Sequence, residues 1–555
     1  MRTKYVFISG GVISGIGKGT IASSIAFLLQ RIGFKVTPVK CENYLNIDAG
    51  TINPIEHGDP FLCEDGTEAD MDLGSYEKFL DIEVGKTNFI TMGQIYQTVI
   101  QKERRFEYNG EDVEAIPHIT DEIQRRIIEA GKKASSEIVV VELGGTTGEY
   151  QNIFYYEASR ILSFKNPGDV IHIHVGYMPT PSHLGEPKTK PTQLSVRTLN
   201  SLGIHPDFII TRSEKLMDER RKNRFALFCN VHPEDIFSAP DTKIIYEIPI
   251  FLKNQGLLDR LLEKFHLKKI KKDFRAWESF VNRVKSIERS NKEVIIAIVG
   301  KYFTTGQYQL RDSYAALFDA LQHAAWHHGV KVKTLWIDAE KVEKQGIEIL
   351  KSNCAGLIVP IGWGPRGAEG MITASGYARD KKIPYLGLCY GMQLASVSFG
   401  RNIVGLKDAN STEVNPKTKN PIIHLNPMQK ENVKRRAYGG TMRLGAWNAI
   451  VRKGTIAWKA YKKYNGFLNK QTGLTSERHR HRYEFNNRYI REFEKKGMIF
   501  STRSTVENLV EIVELPENIH PFYLGTQGHP EYKSRPLRPH PIFLEFIEAC
   551  INNRK

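Results

Sequence analysis

The 555-residue chain has no uncharged apolar run long enough to cross a bilayer, and its six cysteines (Cys41, Cys63, Cys229, Cys354, Cys389, Cys550) show no paired spacing. The first absence argues against a membrane-spanning helix. The second argues against a disulfide framework or a zinc site. Internal repeats, low-complexity segments and an RNA-binding aromatic signature are also missing, so nucleic acid is not an expected partner. Acidic side chains are in deficit, 62 against 78 Lys and Arg, and the net charge of +16 biases the chain toward anions such as phosphorylated substrates. The opening residues "MRTKYVFISGG" read as a core strand entering a turn and not as a secretory signal, which predicts a cytoplasmic protein.

What is present is an alternation of short β-branched runs with helical stretches. "KYVFISGG", "KVTPVKCE" and "EIVVVELGG" begin one α/β series; "EVIIAIVGKY", "KTLWID", "AGLIVP", "IPYLGL" and "FYLGTQGHPEY" form a second. The charged stretch between them carries apolar residues at helical spacing. The chain is too long for one core. The expected organisation is a domain over 1–270, a helical linker over 271–292 and a domain over 293–555.

Two glycine-punctuated turns carry the chemistry. In "GGVISGIGKGT" a strand ends at Gly10 and Gly11, and Gly15, Gly17 and Gly19 keep side chains off a loop that runs into a helix. Such a loop aims backbone N–H groups at an anion, and Lys18 adds a full charge. The pattern is not a strict phosphate loop, because Gly19 stands where Ser or Thr is required and Thr20 comes one place late. Asp72 and Glu142 are candidate oxygen ligands for Mg²⁺. Lys188 and Lys190, in "GEPKTKPTQ", suit a second polyphosphate.

The second turn, "GLCYG", has the G-x-C-x-G form of a nucleophile elbow with Cys389 at a helix N-terminus. "GTQGHPEY" supplies His529 and Glu531, which an extended backbone would point to one side, giving a Cys-His-Glu triad. His479 and His481 in "RHRHRYE" lack further ligands and sit among arginines, so an anion or substrate contact is expected there and not a metal.

With both turns in view the chain resembles the CTP synthase family over nearly its whole length, through "GGVISGIGKG", "GTINPIEHGDPF", "EDGTEADMDLGSYE", "KTKPTQ", "ALFCNV", "LCYGMQ", "GGTMRLG", "ERHRHRYE" and "HPE". The resemblance implies an α/β fold: an N-terminal P-loop-like (dethiobiotin-synthetase-like) parallel-sheet domain, a helical linker and a C-terminal class I glutamine amidotransferase domain. It implies that UTP is phosphorylated by ATP at O4 and aminated at C4 by ammonia from glutamine, which passes internally between the sites. Gly15, Ile16, Gly17, Lys18, Gly19, Thr20, Lys40, Asp72, Pro240, Asp241 and Thr242 would then hold ATP, with Asp72 and Glu142 on Mg²⁺. Ser14, Lys188, Thr189, Lys190, Pro191, Thr192, Gln193 and Arg224 would contact UTP, and Glu149, Tyr150 and Gln151 would read the inhibitor CTP. Cys389, His529 and Glu531 would hydrolyse glutamine, held by Gly362, Tyr390, Gly391, Met392, Gln393, Glu413 and Arg482. The resemblance also implies GTP activation near "GGTMRLG", a homotetramer, and filaments as a further state.

The chain departs from the family pattern at three places. "PIGWG" replaces "PGGFG", putting β-branched Ile361 at a glycine position, where a positive φ would be strained. "GGTTGEYQN" replaces "GGTVGDIES", and Arg224 replaces a lysine. Two rival readings are a nucleotide-binding scaffold or filament protein with relic sites, and an amidoligase for a carboxylate acceptor. The intact chemical groups speak against the first, and the second cationic loop against the other.

Overall fold

The computed structural model describes residues 2–54, 58–268, 273–305, 308–309, 311–351 and 353–553. Positions 55–57 of the "GTINPIEHGDPF" motif and 269–272 at the start of the expected linker lie outside the described residues. Compactness divides the chain into two units: residues 1–47 with 72–283, and 48–71 with 284–555.

The first unit is built on β1 (Lys4–Gly10), β2 (Val36–Glu42), β3 (Phe89–Thr91), β4 (Ile138–Leu143), β5 (Val170–Tyr177), β6 (Phe208–Ser213) and β7 (Ile236–Pro240). They form one sheet in the order β3-β2-β4-β1-β5-β6-β7, with every pairing parallel. Val6, Phe7 and Ile8 are almost wholly buried, as a strand covered on both faces requires. The chain runs from β1 outward to β3, returns to insert β4, and then crosses to β5. The strand order therefore reverses at β1, and ligand crevices in such sheets form at the carboxyl ends of strands at that reversal.

Helix α1 (Lys18–Arg31) follows β1, α2 (Lys190–Ser201) follows β5, and α3 (Arg275–Arg289) is the connecting helix. On α3, Trp277, Phe280, Val281, Val284 and Ile287 are buried at helical spacing. The Trp277 ring lies 4.3 Å from that of Phe27, and its Nε1–H donates to the Tyr246 carbonyl at 2.8 Å. Within the stretch expected as a linker, Arg275–Arg289 is a packed helix, and the two units divide within it after Arg283.

The second unit contains β8 (Glu293–Gly300), β9 (Lys331–Asp338), β10 (Gly356–Val359), β11 (Tyr385–Leu388), β12 (Arg443–Val451), β13 (Leu474–His481), β14 (Ile499–Ser504), β15 (Val510–Leu515) and β16 (Tyr523–Thr526). The order is β9-β8-β10-β11-β16-β15-β14-β12-β13. Strands β9 through β16 in that order pair parallel, and the remaining four extend the sheet antiparallel. Helix α4 (Tyr390–Phe399) follows β11.

The second unit also takes in Asp48–Met71, which the sequence places inside the first domain. Buried ion pairs account for it: Arg480 Nε meets Glu68 Oε1 at 2.6 Å, Arg480 NH1 meets Asp59 Oδ1 at 3.3 Å, and Arg478 Nε meets Glu64 Oε2 at 2.8 Å. The Ala446 N–H also donates to the Glu64 carbonyl at 2.9 Å. Charged side chains in a strand read as solvent-facing, and only the partner segment makes their burial favourable.

Candidate active sites

In the first unit, β1 delivers the chain into a turn where Val12, Gly15 and Gly17 have φ of 71°, 71° and 91°. Gly17 caps α1 with no side-chain hydrogen bond, which leaves the first-turn N–H groups and the positive end of the helix dipole directed at the turn. The late Thr20 now has a reason. A Cβ at Gly19 would sit 2.2 Å from Asp72 Oδ1, so a carboxylate occupies the space that a strict phosphate loop gives to Ser or Thr.

Lys18 is buried and donates to the Gly145 carbonyl at 2.6 Å; burial, then the charge of Lys40, lowers its pKa. Burial opposes the charge of Lys40 as well, but Asp72, Glu142 and Glu42 at 2.5, 2.7 and 3.1 Å hold its pKa above the usual value. Tyr76 donates its hydroxyl to Glu142 Oε2. Asp72 and Glu142 thus already share a cation beside the helix N-terminus. Among the described residues no group of three or more His, Cys, Asp or Glu is placed to hold a metal. Two carboxylates with phosphate oxygens and water completing the shell suit Mg²⁺, which is seldom caged by protein alone.

The other predicted nucleotide residues divide. Thr192 Oγ1 donates to the Tyr177 carbonyl at 2.7 Å and Gln193 Nε2 to Thr189 Oγ1 at 3.0 Å, which fastens the start of α2, with Lys190 and Pro191, to the end of β5. Glu149 closes its own turn, accepting from the Thr146 N–H and hydroxyl at 2.7 Å and from Asn43 at 3.0 Å. Ser14, Tyr150, Gln151 and Arg224 are exposed; Tyr150 is 91% exposed, and Arg224 lies over the Phe228 ring at 5.8 Å. Lys188 pairs with Glu186 at 3.3 Å. Thr242 donates to Glu247 Oε2 at 2.7 Å.

Arg212 connects Pro240 and Asp241 to the glycine turn, and sequence reasoning missed it. Its guanidinium donates to the Ala239 and Pro240 carbonyls and pairs with Asp241 Oδ1 at 3.0 Å, while its Nε lies 3.3 Å from where a Gly17 Cβ would be. The available signal was an arginine near the carboxyl end of a parallel strand, in "FIITRS".

In the second unit, Cys389 joins β11 to α4 with φ 50° and ψ −97°, a strained backbone that lifts its side chain off the strand. Both flanking glycines are sterically required. A Gly387 Cβ would fall 2.7 Å from the Gly391 carbonyl carbon, and a Gly391 Cβ 1.9 Å from the Val359 carbonyl oxygen. Gly391→Ala is therefore expected to destabilise this unit by about 3 kcal/mol, the overpacking range, and to abolish any activity at Cys389. Thermal unfolding together with a glutaminase assay checks it.

His529 Nδ1–H donates to Glu531 Oε1 at 2.7 Å. The contact does not arise from an extended strand as expected; a 3-10 turn over Pro530–Lys533 brings the two side chains together. Burial alone would lower the His529 pKa, but the charges of Glu531 and Cys389 raise it to about 10. Two further polar atoms await partners: His529 Nε2 and Gln393 Oε1 are buried without a regular hydrogen bond. Gln527, absent from the predicted set, donates to Cys389 Sγ at 3.5 Å and accepts from Gln393 Nε2 at 3.3 Å.

The loop after β10 is held closely. Lys301 Nζ donates to the Trp363 and Gly364 carbonyls at 2.6 and 2.9 Å, the Tyr390 hydroxyl to Gly364 O at 2.7 Å, and the Gly364 N–H to Glu413 Oε1 at 2.7 Å. A Gly362 Cβ would lie 3.0 Å from the Tyr390 ring. Positive φ falls at Gly364 and Gly367, and Ile361 is buried without it, so the glycine-to-isoleucine departure costs no backbone strain. Glu413, Arg482, Trp363 and Tyr483 line a cavity of about 590 Å³ together with residues 50–54. Arg482 donates there to Gln429, Tyr438 and Thr441.

His479 and His481 differ from expectation. Alternate residues of β13, they are wholly buried, with His479 Nδ1 and His481 Nε2 3.0 Å apart. Arg443 and Glu511 complete this interior network. The two histidines are engaged with these interior groups in place of the expected anion or substrate contact.

A family model described as class I glutamine amidotransferase matches residues 309–549, and one described as the N-terminus of CTP synthase matches residues 4–267. The fold and these matches define a two-part α/β enzyme whose second part is an amidotransferase. The chain is 46% identical over 550 residues to the CTP synthase of Pyrococcus furiosus, covering 99% of this chain and 98% of that one. It is 45% identical over 552 residues to that of Saccharolobus solfataricus, covering 99% of both. Among solved structures, the glutaminase domain of Trypanosoma brucei CTPS with bound acivicin is 32% identical, with TM-score 0.41, covering 47% of this chain and 94% of that one. The chain belongs to the CTP synthase family, ATP-dependent enzymes that convert UTP to CTP with glutamine in pyrimidine biosynthesis.

Proposed function

We propose that the two sites divide the reaction between them. Cys389 attacks the carboxamide carbon of L-glutamine, its proton passing to His529, which delivers it to the departing ammonia. Water then releases glutamate from the thioester, and Glu531 holds the imidazole throughout. Gly362 and Tyr390 supply oxyanion N–H groups, with Gly391 and Met392 shaping the same turn; Gln393, Glu413 and Arg482 hold the amino acid. The observation that carries this reading is the 2.7 Å His529–Glu531 contact at a strained, glycine-flanked cysteine.

In the first unit, Lys18, Lys40 and the residues 15–20 hold the triphosphate of ATP, with Pro240, Asp241 and Thr242 toward its nucleoside. Asp72 and Glu142 would hold Mg²⁺, whose charge would neutralise the phosphates. Ser14, residues 188–193 and Arg224 bind UTP. Phosphorylation at O4 creates the leaving group that ammonia displaces at C4. CTP inhibition through Glu149, Tyr150 and Gln151, GTP activation, a homotetramer that extends to filaments and a cytoplasmic location complete the proposal.

The test is CTP formation from UTP and ATP, supplied with glutamine or with ammonium. No CTP from either source would favour a scaffold. Internal transfer is tested with ¹⁵N-amide glutamine in unlabelled ammonium: retained label in CTP supports it, and dilution to the bulk ratio refutes it. Glu531→Ala should lower glutamine-dependent kcat by about a hundredfold or more, as loss of a triad's orienting carboxylate does, with ammonium-dependent synthesis unaffected.

A further inference from the structure

Strand β13 links the triad to the segment Asp48–Met71 through two alternate residues. The Arg478 carbonyl accepts the His529 N–H at 2.7 Å, and the Arg480 carbonyl lies 4.0 Å from Cys389 Sγ. Their guanidinium groups reach the other way. Arg478 binds Glu64 and the Leu62 carbonyl, and Arg480 binds Glu68 and Asp59. The same segment also reaches the imidazole from its face. The Tyr532 ring stacks on His529 with centroids 5.3 Å apart and planes 29° from parallel. Its hydroxyl donates to Asp59 Oδ2 at 2.8 Å and lies 3.0 Å from the Pro60 carbonyl, and the Phe61 ring meets it edge-on at 5.3 Å.

A tyrosine ring alone would fill this space as well as phenylalanine. The hydroxyl is directed instead into a buried carboxylate that is itself fixed by Arg480, so the ring has one allowed orientation. The ring in turn bounds the plane in which His529 can rotate between Glu531 and the sulfur. We propose that Asp59 and Tyr532 are positioning residues for glutamine hydrolysis, holding the His529 imidazole in register with Cys389. This rests on the reading of Cys389, His529 and Glu531 as the hydrolytic groups.

The experiment uses the full chain with Tyr532→Phe, Asp59→Ala and the double variant. For each, kcat and KM for glutamine hydrolysis are measured beside ammonium-dependent CTP formation. Tyr532→Phe keeps the stack and loses the bond. The expected result is a fall of about fivefold or more in kcat, the scale of one buried hydrogen bond, at unchanged KM. The double variant should lose no more than the larger single loss, and ammonium-dependent synthesis should persist as the sign of an intact fold. Unchanged kcat in Tyr532→Phe, a loss confined to KM, or a parallel fall in the ammonium route would each overturn the proposal. If Asp59→Ala does not fold, Tyr532→Phe decides alone. Cys389→Ala, assayed alongside, separates the two failures: if it still hydrolyses glutamine, the underlying reading is wrong and not merely the role of Tyr532.

Discussion

Replacing Cys389 with alanine is expected to cut glutamine-dependent CTP formation by roughly 10⁴-fold or more, while ammonium-dependent formation stays within about twofold of the native rate. The size of the loss follows from the chemistry. With no sulfur to attack the carboxamide, His529 and Glu531 have no nucleophile to activate, and an amide does not hydrolyse unaided on a catalytic timescale. The selectivity follows from the architecture. Cys389 belongs to the second unit and the Lys18 cluster to the first, each with its own sheet. Cys389 is buried and belongs to the same apolar cluster as Ile361, Leu386 and Leu388, and alanine fits a thiol's space with little more than a sulfur's volume lost. Steady-state CTP formation with each nitrogen source checks both halves. Loss of the ammonium route as well would contradict the division of labour.

How much of this was legible in the sequence depended on whether the signal was local. The elbow was visible because G-x-C-x-G packs its physical cause into five residues: each glycine is excluded from bearing a side chain by a backbone one turn or one strand away. The alternation of β-branched runs and helices likewise disclosed two sheets. The pairing of His529 with Glu531 was foreseen although its backbone route was not, because i and i+2 side chains meet in both an extended strand and a tight turn. Ion pairs between distant segments were not legible. Asp59, Glu64 and Glu68 carry no local pairing signal, because their partners Arg478 and Arg480 lie more than four hundred positions away. Shorter separations of 27, 62 and 138 positions likewise hid Arg212, Lys301 and Gln527, whose roles come from backbone carbonyls and a sulfur that no spacing rule connects to them. His479 and His481 were expected to contact an anion or substrate because arginines flank them, whereas they lie in a strand buried between charged partners.

Substitution of Lys18 should have the opposite signature to that of Cys389: both nitrogen routes fail. Lys40 is more deeply enclosed, but its charge is already balanced by three carboxylates within 3.1 Å. Lys18 donates to a neutral carbonyl, Gly145 O, and burial disfavours its ammonium. A buried cation beside an uncapped helix N-terminus gains most when a phosphate arrives, since the phosphate offsets a desolvation cost already incurred. Lys18→Ala should therefore lower kcat/KM for ATP by roughly 10²–10³-fold in CTP synthesis from either glutamine or ammonium, the scale of losing one electrostatic contact to a transition state. Lys18→Arg should rescue little. The Lys18 side chain already runs within 2.6 Å of where a Gly10 Cβ would sit, so a bulkier planar guanidinium has no room to reach the same point. Nucleotide-free glutamine hydrolysis should remain near native, because Lys18 belongs to the first unit and the hydrolytic groups to the second. Initial rates with ATP varied under each nitrogen source provide the measurement, and a Lys18→Ala enzyme that still makes CTP from ammonium at the native rate would remove the phosphate-binding assignment.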